Sequence, residues 1–362
     1  HMGATTTPAL VGAPADIDAA YLTTVLRHAG FADAAVGTYS ASNIGTGQVG
    51  QNIRFALDYK AGSGPATVVG KFASDDPASR QTGIALQNYL KEVRFYRELA
   101  PSLAVRIPAL YFGAIDEETH EFLLIMEDLA PAEQGDQLGG CSADDAALAM
   151  EQAAHLHGPR WDDPALRSYD FLGGLDEDAG AAGTLALWDA AMEAYLGRYS
   201  DRLSAEDISL TRALGAHFAT YLSPEPGPRT VTHGDFRLDN MLFGRTPGAT
   251  PLAIVDWQSP ALGQGPADVA YFLGTSLDPA LRGREERALL RVYRDVLKSY
   301  GVSLSEDALW RAYRRASFAG LVMAVVASMI VGQTDRGDQM FMAMAQRSAV
   351  MARELEGLAL LA

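Results

Sequence analysis

Apolar residues recur at helical spacing through residues 16–30 (DIDAAYLTTVLRHAG) and the pattern stops at Gly30, which predicts an opening helix. The period then shortens. Alternating or apolar runs at 36–40, 53–59 and 67–72, parted by glycine-rich turns such as AGSGP, predict strands of an antiparallel meander. Residues 83–99 (GIALQNYLKEVRFYREL) regain a 3.6-residue period and end before Pro101, so one continuous helix is expected there. Two further strands, at 109–115 and 121–127, lead into the linker DLAPAEQGDQLGG.

Beyond the linker, long helical patterns dominate, with breaks near Gly158-Pro159, Ser223 to Pro228 and Leu277 to Gly283. Two short apolar runs, Thr230 to Thr232 and Leu252 to Val255, interrupt them as a small hairpin, each delivering a carboxylate into a loop. A β-rich first third with one interior helix, followed by an α-rich remainder, predicts an α+β chain of two lobes, 1–127 and 128–362. The run from Phe318 to Val331 (FAGLVMAVVASMIV) is shorter than the ~20 residues that span a bilayer, and a buried helix is expected instead.

Hydrophobic residues make up 48% of the 362 residues and charged residues 20%, the composition of a folded globular chain. Asp and Glu number 45 against 29 Lys and Arg, a formal charge of -16. Such a field repels phosphate backbones and anionic lipid, which excludes nucleic-acid and membrane-surface partners and mildly favours cationic small ligands. A single cysteine, Cys141, leaves no internal disulfide and no multi-cysteine metal site. No basic segment followed by an apolar stretch opens the chain, so the cytoplasm is the expected compartment.

Gly45-Thr46-Gly47-Gln48-Val49-Gly50 fits G-x-G-x-x-G. A dinucleotide fingerprint requires a helix directly after the glycines, whereas a strand pattern follows here, as in a hairpin folded over phosphates. Lys71 ends the apolar run TVVGKF, where an ammonium needs a partner, and Glu92 on the next helix can supply one. The densest signal is His233-Gly234-Asp235-Phe236-Arg237-Leu238-Asp239-Asn240, followed by Ile254-Val255-Asp256-Trp257. Phosphoryl transfer needs a carboxylate beside the attacking hydroxyl and hard oxygen ligands for magnesium, and these residues supply both. His155 and His157 sit two apart on a helix, about 200° around it, which disfavours joint metal ligation.

On these motifs, which run from about residue 43 to 275, the sequence resembles the aminoglycoside phosphotransferase and choline kinase-like family, relatives of protein kinases. The resemblance implies a two-lobe protein-kinase-like fold and an ATP- and Mg2+-dependent enzyme that phosphorylates a hydroxyl of a small organic molecule. It implies that Asp235 is the catalytic base, that Asn240 and Asp256 hold magnesium, and that Gly45, Gly47 and Gly50 cover the phosphates. Lys71, braced by Glu92, would contact the nucleotide phosphates, the backbone at Glu127 and Leu129 would meet adenine, and Asp268 would brace the catalytic loop. His-Gly-Asp stands where protein kinases have His-Arg-Asp, Trp257-Gln258 where they have Phe-Gly, and no APE-type activation segment follows, which disfavours a protein kinase. A non-catalytic nucleotide-binding protein is the other alternative, disfavoured because Asp235, Asn240 and Asp256 are all present. The acceptor surface is expected between about residues 135 and 225, where no motif identifies the acceptor.

Overall fold

The computed structural model describes residues 5–45 and 49–362. The chain divides into two compact units: residues 1–102, 107–131 and 255–259 form the first, and 103–106, 132–254 and 260–362 the second.

In the first unit, α1 (Ala19–His28) begins where the Asp18 carboxylate accepts the Tyr21 amide at 2.7 Å, and it buries Leu22, Val25 and Leu26. Strands β1 (Ala35–Ile44), β2 (Gly50–Ala61) and β3 (Thr67–Ala73) come next, and β4 (Leu110–Ile115) and β5 (Phe122–Glu127) complete an antiparallel sheet of order β1-β2-β3-β5-β4. Alternation along the strands sends Ile53, Phe55, Leu57, Val68, Phe72 and Ile125 into one core with the buried side chains of α1. Gly70 belongs to that face, where an added Cβ would stand 2.9 Å from both Phe55 and Phe72. Lys71, one residue on, points to the opposite face.

The helix expected over 83–99 is instead three pieces: α2 (Pro77–Ala85), α3 (Asn88–Arg94) and a π-helical turn at Phe95–Leu99. The break falls at Gln87, whose φ is +56°. Tyr89 accounts for it: its ring lies so close over Gly83 that a Cβ there would be 2.5 Å away, stacks on Phe122 at 4.5 Å, and its hydroxyl donates to the Val49 carbonyl. Tertiary packing thus overrides a smooth helical period.

The second unit is mainly helical. Its helices are α4 (Ala143–His157), α5 (Glu177–Tyr199), α6 (Ala205–Ala216), α7 (Phe218–Leu222), α8 (Gly265–Ser276), α9 (Pro279–Lys298), α10 (Glu306–Arg315), α11 (Ala319–Ile330) and α12 (Asp335–Glu354). Five short strands interrupt them: β6 (Glu133–Gln134), β7 (Thr230–Thr232), β8 (Met241–Phe243), β9 (Leu252–Ile254) and β10 (Ala261–Gly263). The two apolar runs expected to pair with each other do not. Strand β7 pairs with β10, and β9 pairs with β8, which in turn pairs with β6. Three-residue strands are too short for a period of two to reveal their partners.

The apolar run near residue 318 continues helically from α10, so Glu306–Ile330 is long and apolar enough to cross a membrane by length and composition. Yet α11 buries Leu321, Ala324, Val325 and Ser328 and packs against α5, α8 and α12 within the unit. In the first unit, Phe72→Ala removes a fully buried ring from the sheet core and should cost about 3–5 kcal/mol. Urea denaturation should show a lower midpoint at an unchanged slope.

Candidate active site

The first unit carries one buried ion cluster. On the sheet face away from α1, the Lys71 ammonium lies 2.8 Å from Glu92 Oε1 and 2.9 Å from Asp256 Oδ1. Glu92, on α3, also accepts the Trp257 amide at 2.9 Å through Oε2. The Trp257 ring stacks on Phe95 at 4.2 Å and 7°, both rings being fully buried, so the segment that carries Asp256 is pinned by backbone and side chain alike. Asp256 has φ +62°, a left-handed conformation that a short polar side chain tolerates better than most. Burial alone would lower the Lys71 pKa, but the Asp256 and Glu92 carboxylates override it and raise it above the ordinary lysine value. Burial pushes the Glu92 pKa up, against the pull of Lys71 and the Trp257 amide, and the neighbouring Asp256 charge adds to the rise.

Of the glycine motif, Gly50 lies beside this cluster. Gly45 follows β1 at φ +74°, open to glycine and strained for other residues. Gly50 opens β2, where a Cβ would sit 3.0 Å from the Phe72 carbonyl and 3.4 Å from Lys71 Cε. Gly47 lies outside the described residues. Glu127 ends β5 with its amide committed to the Ala109 carbonyl at 2.8 Å, so that hydrogen is not offered to a ligand. Leu129, half-buried, follows in the loop, where Asp128 takes Arg54 at 2.6 Å and the Ala130 amide at 3.0 Å.

The second unit carries Asp235 and Asn240. Strand β7 ends in His233-Gly234-Asp235, and the Asp268 carboxylate on α8 holds that turn: Oδ2 accepts the His233 amide at 2.8 Å and Oδ1 the Gly234 amide at 3.2 Å. Gly234 has φ +85°, which explains glycine between the histidine and the aspartate. Behind Asp268, His157 Nε2 lies 2.8 Å from Oδ2 while its Nδ1 faces the Tyr293 hydroxyl, also at 2.8 Å. His155 turns away to Tyr300, so the two histidines serve separate contacts.

Asp235 is enclosed. Its Oδ1 accepts Arg237 Nε at 2.9 Å and the Tyr271 hydroxyl at 2.6 Å, and its Oδ2 accepts Asn240 Nδ2 at 3.0 Å. Burial would raise its pKa, but Arg237, Tyr271, His233 and Asn240 hold the carboxyl below the usual range and therefore ionised at neutral pH. Arg237 and Tyr271 escaped the sequence reading. Arg237 is inside the motif two residues after Asp235, and Tyr271 follows Asp268 at helical i,i+3 spacing, the signals that point to both.

Hard oxygens suit magnesium, which keeps several waters and uses few protein ligands. Asn240 turns its amide nitrogen to the Asp235 carbonyl and carboxylate, which leaves its oxygen as the atom able to ligate. The Asp256 side chain, about 38% exposed, is the second fitting donor. Among the described residues no three His, Cys, Asp or Glu side chains gather as a ready-made metal cluster. Burial pushes the Cys141 thiol up to about 12, an inert state.

An antiparallel five-stranded unit with a buried Lys-Glu pair, and a helical unit with a braced His-Gly-Asp loop, define a protein-kinase-like fold. The solved GDP complex of wild-type aminoglycoside 2'-phosphotransferase-IIIa has the same fold: TM-score 0.54 at 15% identity, over 92% of this chain and 99% of that one. The phosphotransferase enzyme family matches residues 65–301, more than half of the 362 residues, and the chain belongs to that family. Acyl-CoA dehydrogenase family member 10 of Mus musculus is 29% identical over 150 residues, 38% of this chain and 13% of that protein. Acyl-CoA dehydrogenase family member 11 of Gallus gallus is 36% identical over 74 residues, 20% of this chain and 9% of that protein. The chain therefore spans only a small part of either relative.

Because Asp268 is held below the ordinary aspartate range by His157 and two backbone amides, against its burial, its stabilisation is complete above that range and is lost as pH falls through the folded value. Asp268→Asn should lower stability at pH 7 by about 3 kcal/mol. Its thermal midpoint should also fall less steeply than that of the natural protein between about pH 5 and 3.

Proposed function

We propose that this protein is a small-molecule kinase that moves the gamma-phosphoryl group of ATP to a hydroxyl of a small organic acceptor. The observation that carries this reading is the Asp235 carboxylate, half-buried and held ionised, with Arg237, Tyr271 and Asn240 fixing its two oxygens. Membership of the phosphotransferase family and the nucleotide bound by the structural relative support it.

Asp235 acts as the base in the sense that phosphoryl transfer requires. Its transition state is loose, so little proton removal is needed before the phosphorus-oxygen bond forms. A carboxylate of low pKa suits such a reaction, since it accepts the acceptor's hydroxyl hydrogen, aims the oxygen, and takes the proton late. Arg237 offsets the charge of Asp235, and Asn240 and Tyr271 keep it in one orientation. In the first unit, Lys71 holds the nucleotide phosphates, with Glu92 fixing the ammonium and Asp256 sharing it. Asn240 and Asp256 would hold Mg2+, which when bound neutralises charge on the phosphates. Gly45 and Gly50 would bring backbone close to those phosphates, with Gly47 assigned to the same loop by the sequence alone, and Glu127 and Leu129 would flank the adenine.

Asp235→Asn should keep the fold and the nucleotide affinity while lowering kcat by about 10²–10⁴-fold, the range for a lost general base; near-normal turnover would overturn the assignment. Asp256→Ala should weaken magnesium-dependent ATP binding in calorimetry by tenfold or more, an expectation of about 1.4 kcal/mol, and leave metal-free nucleotide binding little changed.

A further inference from the structure

A cavity of about 340 Å³ opens within the second unit and comes up to the neighbours of the candidate base, being lined by Gly234, beside Asp235, and by Tyr271, whose hydroxyl holds Asp235. That volume lies at the small end of the ~300–1,000 Å³ typical of small-molecule sites. Its far wall is apolar: Ala319, Val322, Met323 and Val326 along one face of α11, and Leu187 on α5. Leu187 is 45% exposed, and a ligand in the cavity would cover it.

Three polar side chains of the lining are engaged inside the protein, and Tyr221 adds only a neutral hydroxyl. Thr184 donates to the Gly180 carbonyl, Thr232 to Ala261 and Gln264 to Glu225, at 3.0, 3.1 and 2.7 Å. The one carboxylate in the wall, Asp268, is buried, with both oxygens taken by His157 and the His233 and Gly234 amides. An ammonium-bearing acceptor placed here would lose its water and meet no free carboxylate, which is strongly unfavourable. The overall charge of -16 is therefore not focused where the acceptor sits, and the mild preference for cationic ligands read from composition does not extend to this wall.

We infer that the acceptor is a neutral, largely apolar alcohol whose hydrocarbon body lies along α11 and whose hydroxyl reaches the Tyr271 end of the cavity. This deepens the phosphotransferase reading and rests on it.

The test measures MgATP consumption by the full chain with 1-octanol, geraniol and cyclohexylmethanol against kanamycin, choline and glucose, with MgATP binding followed separately by calorimetry. At least one apolar alcohol should exceed each of the polar acceptors at least tenfold in kcat/KM. Val326→Asp should raise the KM for that alcohol at least tenfold with a smaller change in kcat. Val322→Thr, nearly isosteric, should raise it severalfold even if the aspartate variant does not fold. Ile330→Asp, exposed on the same helix and outside the cavity, should leave the KM unchanged. Intact MgATP binding with kanamycin or choline as the better acceptor, or with no apolar alcohol accepted, overturns the inference about the cavity alone. Absence of MgATP binding overturns the phosphotransferase reading beneath it.

Discussion

A buried ammonium is intolerable without carboxylates, and that constraint organises the first unit. Lys71 sits on a strand whose other face is hydrocarbon, and its charge persists only because Glu92 and Asp256 meet it. Glu92 must then stand on a helix segment aimed at the sheet, which the break at Gln87 and the packing of Tyr89 over Gly83 permit. Asp256 must be carried in on a fixed segment, which the Trp257 amide and the Phe95–Trp257 stack provide. Two negative charges on one positive charge leave the cluster with an excess of negative charge, suited to a divalent cation and phosphates arriving together.

The second unit solves a related problem with opposite chemistry. Asp268 is devoted wholly to structure: its oxygens take two successive backbone amides and a histidine, and so fix the loop that presents Asp235. Asp235 is surrounded by donors yet remains the carboxylate from which the cavity's two neighbouring lining residues lead away. The buried Asp268 holds the backbone, whereas the half-buried Asp235 is itself held by side chains. Beyond them lies the hydrocarbon wall along α11.

The elements that the sequence displayed were those whose pattern is local. The first helix, the five strands of the larger sheet and the carboxylate-bearing loops follow from period, turn residues and the motif around Asp235. The Lys71–Glu92 pair was legible because a lysine ending an apolar strand demands a partner. Three features were hidden because their causes are tertiary. The break at Gln87 follows from an aromatic ring crossing a glycine, which a smooth 3.6 period conceals. The pairings of β7 with β10 and of β8 with β9 involve three residues each, below the length at which alternation can be read. Tyr271 was passed over because only the fold shows that its hydroxyl, on an apolar stretch of α8, meets Asp235.

The first unit is not one stretch of polypeptide, because residues 255–259 belong to it. During synthesis Lys71 and Glu92 emerge well over a hundred residues before Asp256 and Trp257. The nascent sheet must therefore wait, with its ammonium only half matched and Phe95 lacking its stacking partner, until the ribosome has made most of the chain. Closing so long a loop delays the final assembly, and it ties completion of the first unit to the appearance of the segment just after the His-Gly-Asp loop.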